Sequence, residues 1–185
     1  FTVRLAYQPT SDVTVSVARA SGDADLTVSG GASLTFTSAN WNTPQTVTLA
    51  AAQDVDLVNG TAVFAVTSSG VTIVSVTGTE ADNDTQSLIV SSTRVSVTEG
   101  ATSTFTVKLA FQPAANVTVS VARASGDTDL TVNSGASLTF TSANWNTAQT
   151  VTLAAAEDVD LTNGAAVFYV TSSGLTTVSV TGTES

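Results

Sequence analysis

Thr104-Phe105-Thr106-Val107-Lys108-Leu109-Ala110 alternates polar and apolar side chains, with Phe105, Val107 and Leu109 on one side. Period-2 alternation with β-branched residues is the signature of a half-buried strand. The same run stands 104 positions earlier as Phe1-Thr2-Val3-Arg4-Leu5. Trp41 and Trp145 keep that offset, as do Gly60 and Gly164, and laying residues 1–81 over 105–185 leaves 16 differences in 81 positions. The chain is therefore a tandem array whose repeat is about one β-sandwich long.

Outward from this strand the alternation continues, and no stretch keeps a helical period. Strands are expected over residues 88–98, 104–110, 117–123, 137–141, 149–156, 166–171 and 176–183, named A to G in order. Seven short strands separated by turn residues predict an all-β chain. The expectation is two tandem seven-stranded Greek-key sandwiches, immunoglobulin- or fibronectin-like, arranged head to tail. Residues 1–84 form the first module, which lacks its N-terminal strand, and residues 85–185 form the second. Phe1 falls inside a strand-like run with no initiator Met or signal peptide, so the chain reads as a piece of a longer protein.

Composition narrows the function. Of 185 residues, 42% are hydrophobic, enough to build a core, and 15 acids against 5 basic residues leave a net charge of -10. That balance disfavours nucleic acid, which rewards clustered Lys and Arg, and anionic membrane surfaces as well. No apolar run approaches the roughly 18 residues of a membrane helix, so membrane insertion is not expected. The absence of Cys and His excludes disulfides, thiolate or imidazole metal sites and His-based triads. No carboxylate pair sits in a cleft-like apolar setting, and the chain is not read as an enzyme.

The acids are sorted by topology. If each strand crosses the sandwich and the next returns, connections A–B, C–D and E–F share one end with the segment after G. Fourteen of the 15 acids fall there: Glu99; Asp23, Asp25, Asp127 and Asp129; Asp54, Asp56, Glu157, Asp158 and Asp160; Glu80, Asp82, Asp84 and Glu184. Only Asp12 lies at the other end. Asp and Asn are ordinary turn residues, which would explain one such loop. Four acidic segments converging on one pole, with no Lys or Arg in them, ask for a cation. An all-oxygen donor set selects a hard ion, and Ca²⁺ accepts such irregular coordination best. The loop Asp54-Val-Asp56-Leu-Val-Asn59-Gly60 is not an EF-hand, which needs Gly at its sixth position and Glu at its twelfth.

The order of motifs resembles a Calx-β domain: Val97-Thr98-Glu99-Gly100, then Phe105-Thr-Val-Lys-Leu109, Gly126-Asp-Thr-Asp129, Leu138-Thr-Phe-Thr141 and Glu157-Asp-Val-Asp160, with Glu80-Ala-Asp-Asn-Asp84 closing the first module. The resemblance implies a seven-stranded sandwich holding Ca²⁺ at one end. It implies Asp25, Asp54, Asp56, Asp82 and Asp84 as ligands in the first module, with Glu80 in the same closing segment, and Glu99, Asp129, Asp158 and Asp160 in the second. The Asn59-Gly60 ending of the E–F loop departs from relatives that carry further acids, which implies fewer ions or weaker binding.

The function expected is that of Ca²⁺-binding repeats in a large exported bacterial protein, secreted or on the cell surface, forming a calcium-stiffened stalk, adhesin segment or fibre. Its partners would be neighbouring repeats of the same chain. The alternative is a carbohydrate-binding accessory module of a secreted polysaccharide-degrading enzyme, with Trp41 and Trp145 stacking on extracellular polysaccharide. Against that, each Trp can plug the open end of its own sandwich. A first module without strand A would also leave a groove for self-assembly by strand donation.

Overall fold

Alternating sequences fold into strands because one face of each is buried and the other wetted. The computed structural model describes residues 1–157 and 162–185, and every regular element among them is a strand. The chain divides into two units, Phe1–Asp54 with Val58–Asp82, and Val55–Leu57 with Asn83–Ser185.

The first unit contains β1 (Thr2–Val3), β2 (Val13–Gly22), β3 (Leu26–Gly30), β4 (Ser33–Phe36), β5 (Gln45–Thr46), β6 (Thr48–Ala51), β7 (Thr61–Ser68) and β8 (Val71–Thr79). One sheet runs β4-β2-β7-β8, and two ladders pair β1 with β5 and β3 with β6. Val15, Val17, Leu34, Phe36, Val47 and Phe64 form its core.

The second unit contains β9 (Leu88–Val90), β10 (Arg94–Val97), β11 (Thr102–Leu109), β12 (Val117–Gly126), β13 (Leu130–Ser134), β14 (Ser137–Phe140), β15 (Gln149–Ala155), β16 (Ala165–Thr171) and β17 (Val178–Glu184). A five-stranded sheet, β10-β17-β16-β12-β14, and a four-stranded sheet, β13-β15-β11-β9, bury their inner faces in one core. Phe105, Val107 and Leu109 all point into it, as their alternation requires.

One expected strand needs correction, and one further strand was not expected. Strand A is not continuous over 88–98: β9 pairs with β11 in one sheet, while β10 pairs in parallel with β17 in the other. The sheet change occurs at Ser91-Ser92-Thr93, where side chains replace ladder partners. Thr106 N donates to Ser91 Oγ at 2.9 Å and Arg94 N to Ser92 Oγ at 3.1 Å. Ser and Thr offer the backbone this local alternative to a ladder. Strand D is found where expected, as β14, but the strand before it, β13 in the opposite sheet, is not among the expected ones. The switch is at Gly135, whose φ of 76° lies in the left-handed region and whose added Cβ would collide with the Thr150 carbonyl.

Both switches preserve direction, so the second unit still makes seven passes. In the second unit the A–B turn, the C–D loop, the start of the E–F loop and the end of β17 therefore share one end. Hydrogen bonds link them: Gly100 N to Ala155 O (3.1 Å), Ala156 N to Asp129 O (3.1 Å), Asp127 N to Ala165 O (2.9 Å) and Ser185 N to Val97 O (3.1 Å).

Register makes a direct prediction. Phe168 is fully buried and its neighbour Tyr169 is 45% exposed. Phe168→Ala should lower stability by about 3–5 kcal/mol through lost burial and a cavity. Tyr169→Ala should cost no more than about 1 kcal/mol. Urea denaturation of the two variants checks the difference.

Candidate metal centre

Strand C ends in a bulge in both units, between Arg19 and Ser21 and between Arg123 and Ser125. A bulge inserts one residue and re-aims the side chains beyond it. Gly22 and Gly126 then take φ of 90° and 93°, and the chain enters an Asx turn. Asp25 N donates to Asp23 Oδ1, and Asp129 N to Asp127 Oδ1, each at 2.9 Å. Asp23 and Asp127 are thereby held with Oδ2 pointing across the pole.

Across from them stands the last glutamate of strand G. Gly60 is buried, and a Cβ added there would collide with Asp23 Oδ2 and lie 2.8 Å from Glu80 Oε1. A Cβ on Gly164 would collide with Asp127 Oδ2 and lie 2.8 Å from Glu184 Oε2. In each unit, then, glycine makes the room in which two carboxylates face one another. Gly164 N donates to Glu184 Oε2 at 2.8 Å. Glu184 is only 7% exposed. Its Oε1, like Glu80 Oε2, is shut from water with no hydrogen-bond partner among the described residues.

The E–F loop and the segment after strand G add a second cluster. Asp54, Asp56 and Asp82 are half-buried and offer carboxylate oxygens that all lie within 4.8 Å of one another. Asp82 N donates to Asn59 Oδ1 at 2.8 Å, Glu80 N to Gly60 O at 3.0 Å, and Ala52 N to Asp25 O at 3.1 Å. These bonds draw the three acidic segments of the first repeat together.

Of the expected ligands, Asp54, Asp56 and Asp82 are thus brought together. Glu80 and Asp25 lie close by, near enough for their charges to interact. Asp84 is half-buried and outside the triad. Asp129 is half-buried in its Asx turn, and Glu99 is exposed in the A–B turn. The Glu157 carboxylate, absent from the expected ligands, comes in over Gly100 of that turn. Asp158 and Asp160 lie outside the described residues.

Sequence reasoning places Asp23, Asp127 and Glu184 at this end but not among the ligands. The signals are present in the chain: the doubled Asp-x-Asp, the glycine after Asn59 and Asn163, and the common Thr-Gly-Thr-Glu ending of strand G. Basic charge also reaches the pole from strand C, which a count of loop residues misses. Arg19 Nη1 donates to Gly22 O at 3.0 Å, and Arg123 Nη1 to Asp127 O at 2.6 Å. These bonds engage backbone carbonyls and leave the carboxylate oxygens to other partners.

The electrostatics reflect this crowding. Burial pushes the Glu80 carboxyl above its ordinary value; the charge of Asp23 adds to this, then Asp54 and Asp25, while the Gly60 backbone hydrogen bond works the other way. All donors are oxygens, Glu80 Oε2 and Glu184 Oε1 are held out of water with no hydrogen-bond partner among the described residues, and the other oxygen of each faces an aspartate. Such a set fits a hard divalent cation, which would supply the missing partner and offset the repulsion.

Two outcomes are expected. Gly60→Ala should wedge Asp23 and Glu80 apart and lower cation affinity by roughly tenfold or more, as measured by calorimetric titration. In the cation-free protein, Glu80 holds its proton more tightly in the folded state than in the unfolded chain. Its contribution to stability is fully present below the unfolded pKa of about 4.3 and is lost as pH rises through the higher folded value. Glu80→Gln should therefore make the cation-free protein less sensitive to pH between about 4.5 and 7 and more stable at pH 7. Denaturation in EDTA across that range measures both.

No family model matches the chain, and no curated protein matches it. Among solved structures it is similar to the crystal structure of domains 4 and 5 of the S-layer protein SbsC, over 95% of this chain and 99% of that one, at 16% identity and a TM-score of 0.45.

Proposed function

We propose that the chain is a pair of Ca²⁺-binding repeats of the Calx-β kind, from a secreted or cell-surface structural protein. The observation that carries this reading is the triad Asp54, Asp56 and Asp82, with carboxylate oxygens within 4.8 Å of one another. Unit charges 4 Å apart repel by about 1 kcal/mol in water and about 4 kcal/mol at an effective dielectric of 20. A divalent cation converts that repulsion into attraction. Ca²⁺ suits the site because its coordination is irregular and accepts carboxylate, amide and carbonyl oxygens together. Asn59, whose side chain already holds Asp82 N, lies at hand as a neutral oxygen donor.

The role is mechanical rather than chemical. Asp82 lies in the segment that leads from one repeat toward the next, and a cation shared with Asp54 and Asp56 would pin that segment to the E–F loop. Repeats tied in this way would form a stiffened stalk or fibre. Polysaccharide binding has less support. Trp145 is half-buried and packs against the core, so its ring is not a free stacking platform.

Binding to the folded state raises stability by mass action. Ca²⁺ at about 100 times its Kd should add about 2.7 kcal/mol, raising the first unit's Tm by roughly 10–20 °C. Mg²⁺ should do less, because it keeps its waters. Asp54→Ala should abolish most of the shift. Differential scanning calorimetry in EDTA and in Ca²⁺ decides the matter; identical traces would reject the proposal.

A further inference from the structure

Gly164 N donates to Glu184 Oε2 at 2.8 Å, and in the first unit Gly60 donates from its backbone to the Glu80 carboxylate. Most backbone N–H groups point at carbonyl oxygens. These two point at carboxylates, which are far better proton acceptors. Each glycine also follows an asparagine, Asn163 and Asn59.

An asparagine followed by glycine carries a latent reaction. The glycine nitrogen can attack the side-chain carbonyl carbon of the asparagine before it, closing a five-membered imide ring. Three things ordinarily hold this back: the nitrogen keeps its proton, the carboxamide is a poor electrophile, and a side chain on the following residue crowds the approach. At residues 59 and 60 each obstacle is lowered. The Glu80 carboxylate sits on the Gly60 N–H, placed to take its proton. Asp82 N donates to Asn59 Oδ1 at 2.8 Å, on the oxygen where negative charge develops as the nitrogen adds. Residue 60 has no side chain, and none fits, since a Cβ there would collide with Asp23 Oδ2. Asn59 and Asn163 are exposed, so ammonia can leave and water can enter.

We propose that Asn59-Gly60 and Asn163-Gly164 are self-modification sites, which the folded chain converts to aspartyl or isoaspartyl residues with Glu80 and Glu184 as the bases. The glycine nitrogen forms a bond to Cγ and its proton passes to the glutamate. The carbonyl electron pair moves onto Oδ1 and returns as the C–N bond of the carboxamide breaks. The glutamate gives its proton to the departing nitrogen, which leaves as ammonia. Water then opens the imide, at Cγ to give aspartate or at the main-chain carbonyl to give isoaspartate, and nothing is oxidised or reduced. Aspartate at 59 would set a further carboxylate beside Asp82. Its effect on cation affinity rests on the cation-binding reading above; the conversion itself does not.

The test follows the full chain by peptide mass mapping in EDTA at neutral pH. It reads the mass difference between carboxamide and carboxylic acid, and labels isoaspartyl residues with an isoaspartyl methyltransferase. Asn59 and Asn163 should convert roughly tenfold or more faster in the folded chain than in the same chain unfolded in guanidinium, where the Asn-Gly pairs remain but the bases are dispersed. Glu80→Gln should slow Asn59 by roughly tenfold or more and leave Asn163 at its parent rate, and Glu184→Gln should do the reverse. In each variant the unaffected asparagine shows that the chain is still folded. Asn59→Asp should bind Ca²⁺ more tightly than the parent in calorimetric titration; if it does not, the consequence for the cation fails while the mass result stands. A folded chain that converts no faster than the unfolded one would overturn the proposal. So would a Glu80→Gln chain in which Asn59 converts at the parent rate, or in which both asparagines slow alike.

Discussion

A carboxylate oxygen shut away from water needs a partner, and Glu80 and Glu184 each have one such oxygen, while the other lies over a glycine beside an aspartate carboxylate. Burial and like charge act in the same direction on Glu80, so its ionised form is disfavoured twice. Much of the local architecture maintains this juxtaposition. The bulge in strand C, the Asx turn, the glycines at 60 and 164, and the hydrogen bond from Asp82 N to Asn59 all hold acids together against their own repulsion. Such an arrangement costs stability unless something positive completes it, and a bound cation would do so.

The sandwich beneath supplies the rigidity. Fully buried Phe105, Phe140 and Phe168 fix the sheets of the second unit, and Phe36 and Phe64 do the same in the first. Loops anchored at the ends of packed strands keep their relative positions. A cation site assembled from several loops therefore depends on every strand ending where it does. At Arg123 one extra residue bends strand C, and the guanidinium then holds the carbonyls of the loop that the bend creates.

Most of the fold was legible because alternation is a local property. Val95, Val97, Phe105, Val107, Leu109, Leu138 and Phe140 announce their inward face through neighbours two residues away, and all are buried. The acidic pole was legible too, since seven passes of alternating direction put the same connections at one end. The sheet switches at Ser91-Ser92-Thr93 and Gly135 were not, because they depend on which backbone groups a hydroxyl or a left-handed glycine can satisfy. Within the site, Asp54, Asp56 and Asp82 could be placed by loop membership alone. The pairing of Asp23 with Glu80, and of Asp127 with Glu184, required the bulge geometry and the space over a glycine, neither of which has a sequence period.

A cation at the pole of the first repeat is tested most directly by diffraction from crystals grown with Ca²⁺. An anomalous difference peak about 2.3–2.6 Å from carboxylate oxygens of Asp54, Asp56 and Asp82 is the predicted result. Well-ordered acids in the same crystals with only water between them, or turned apart toward solvent, would contradict it.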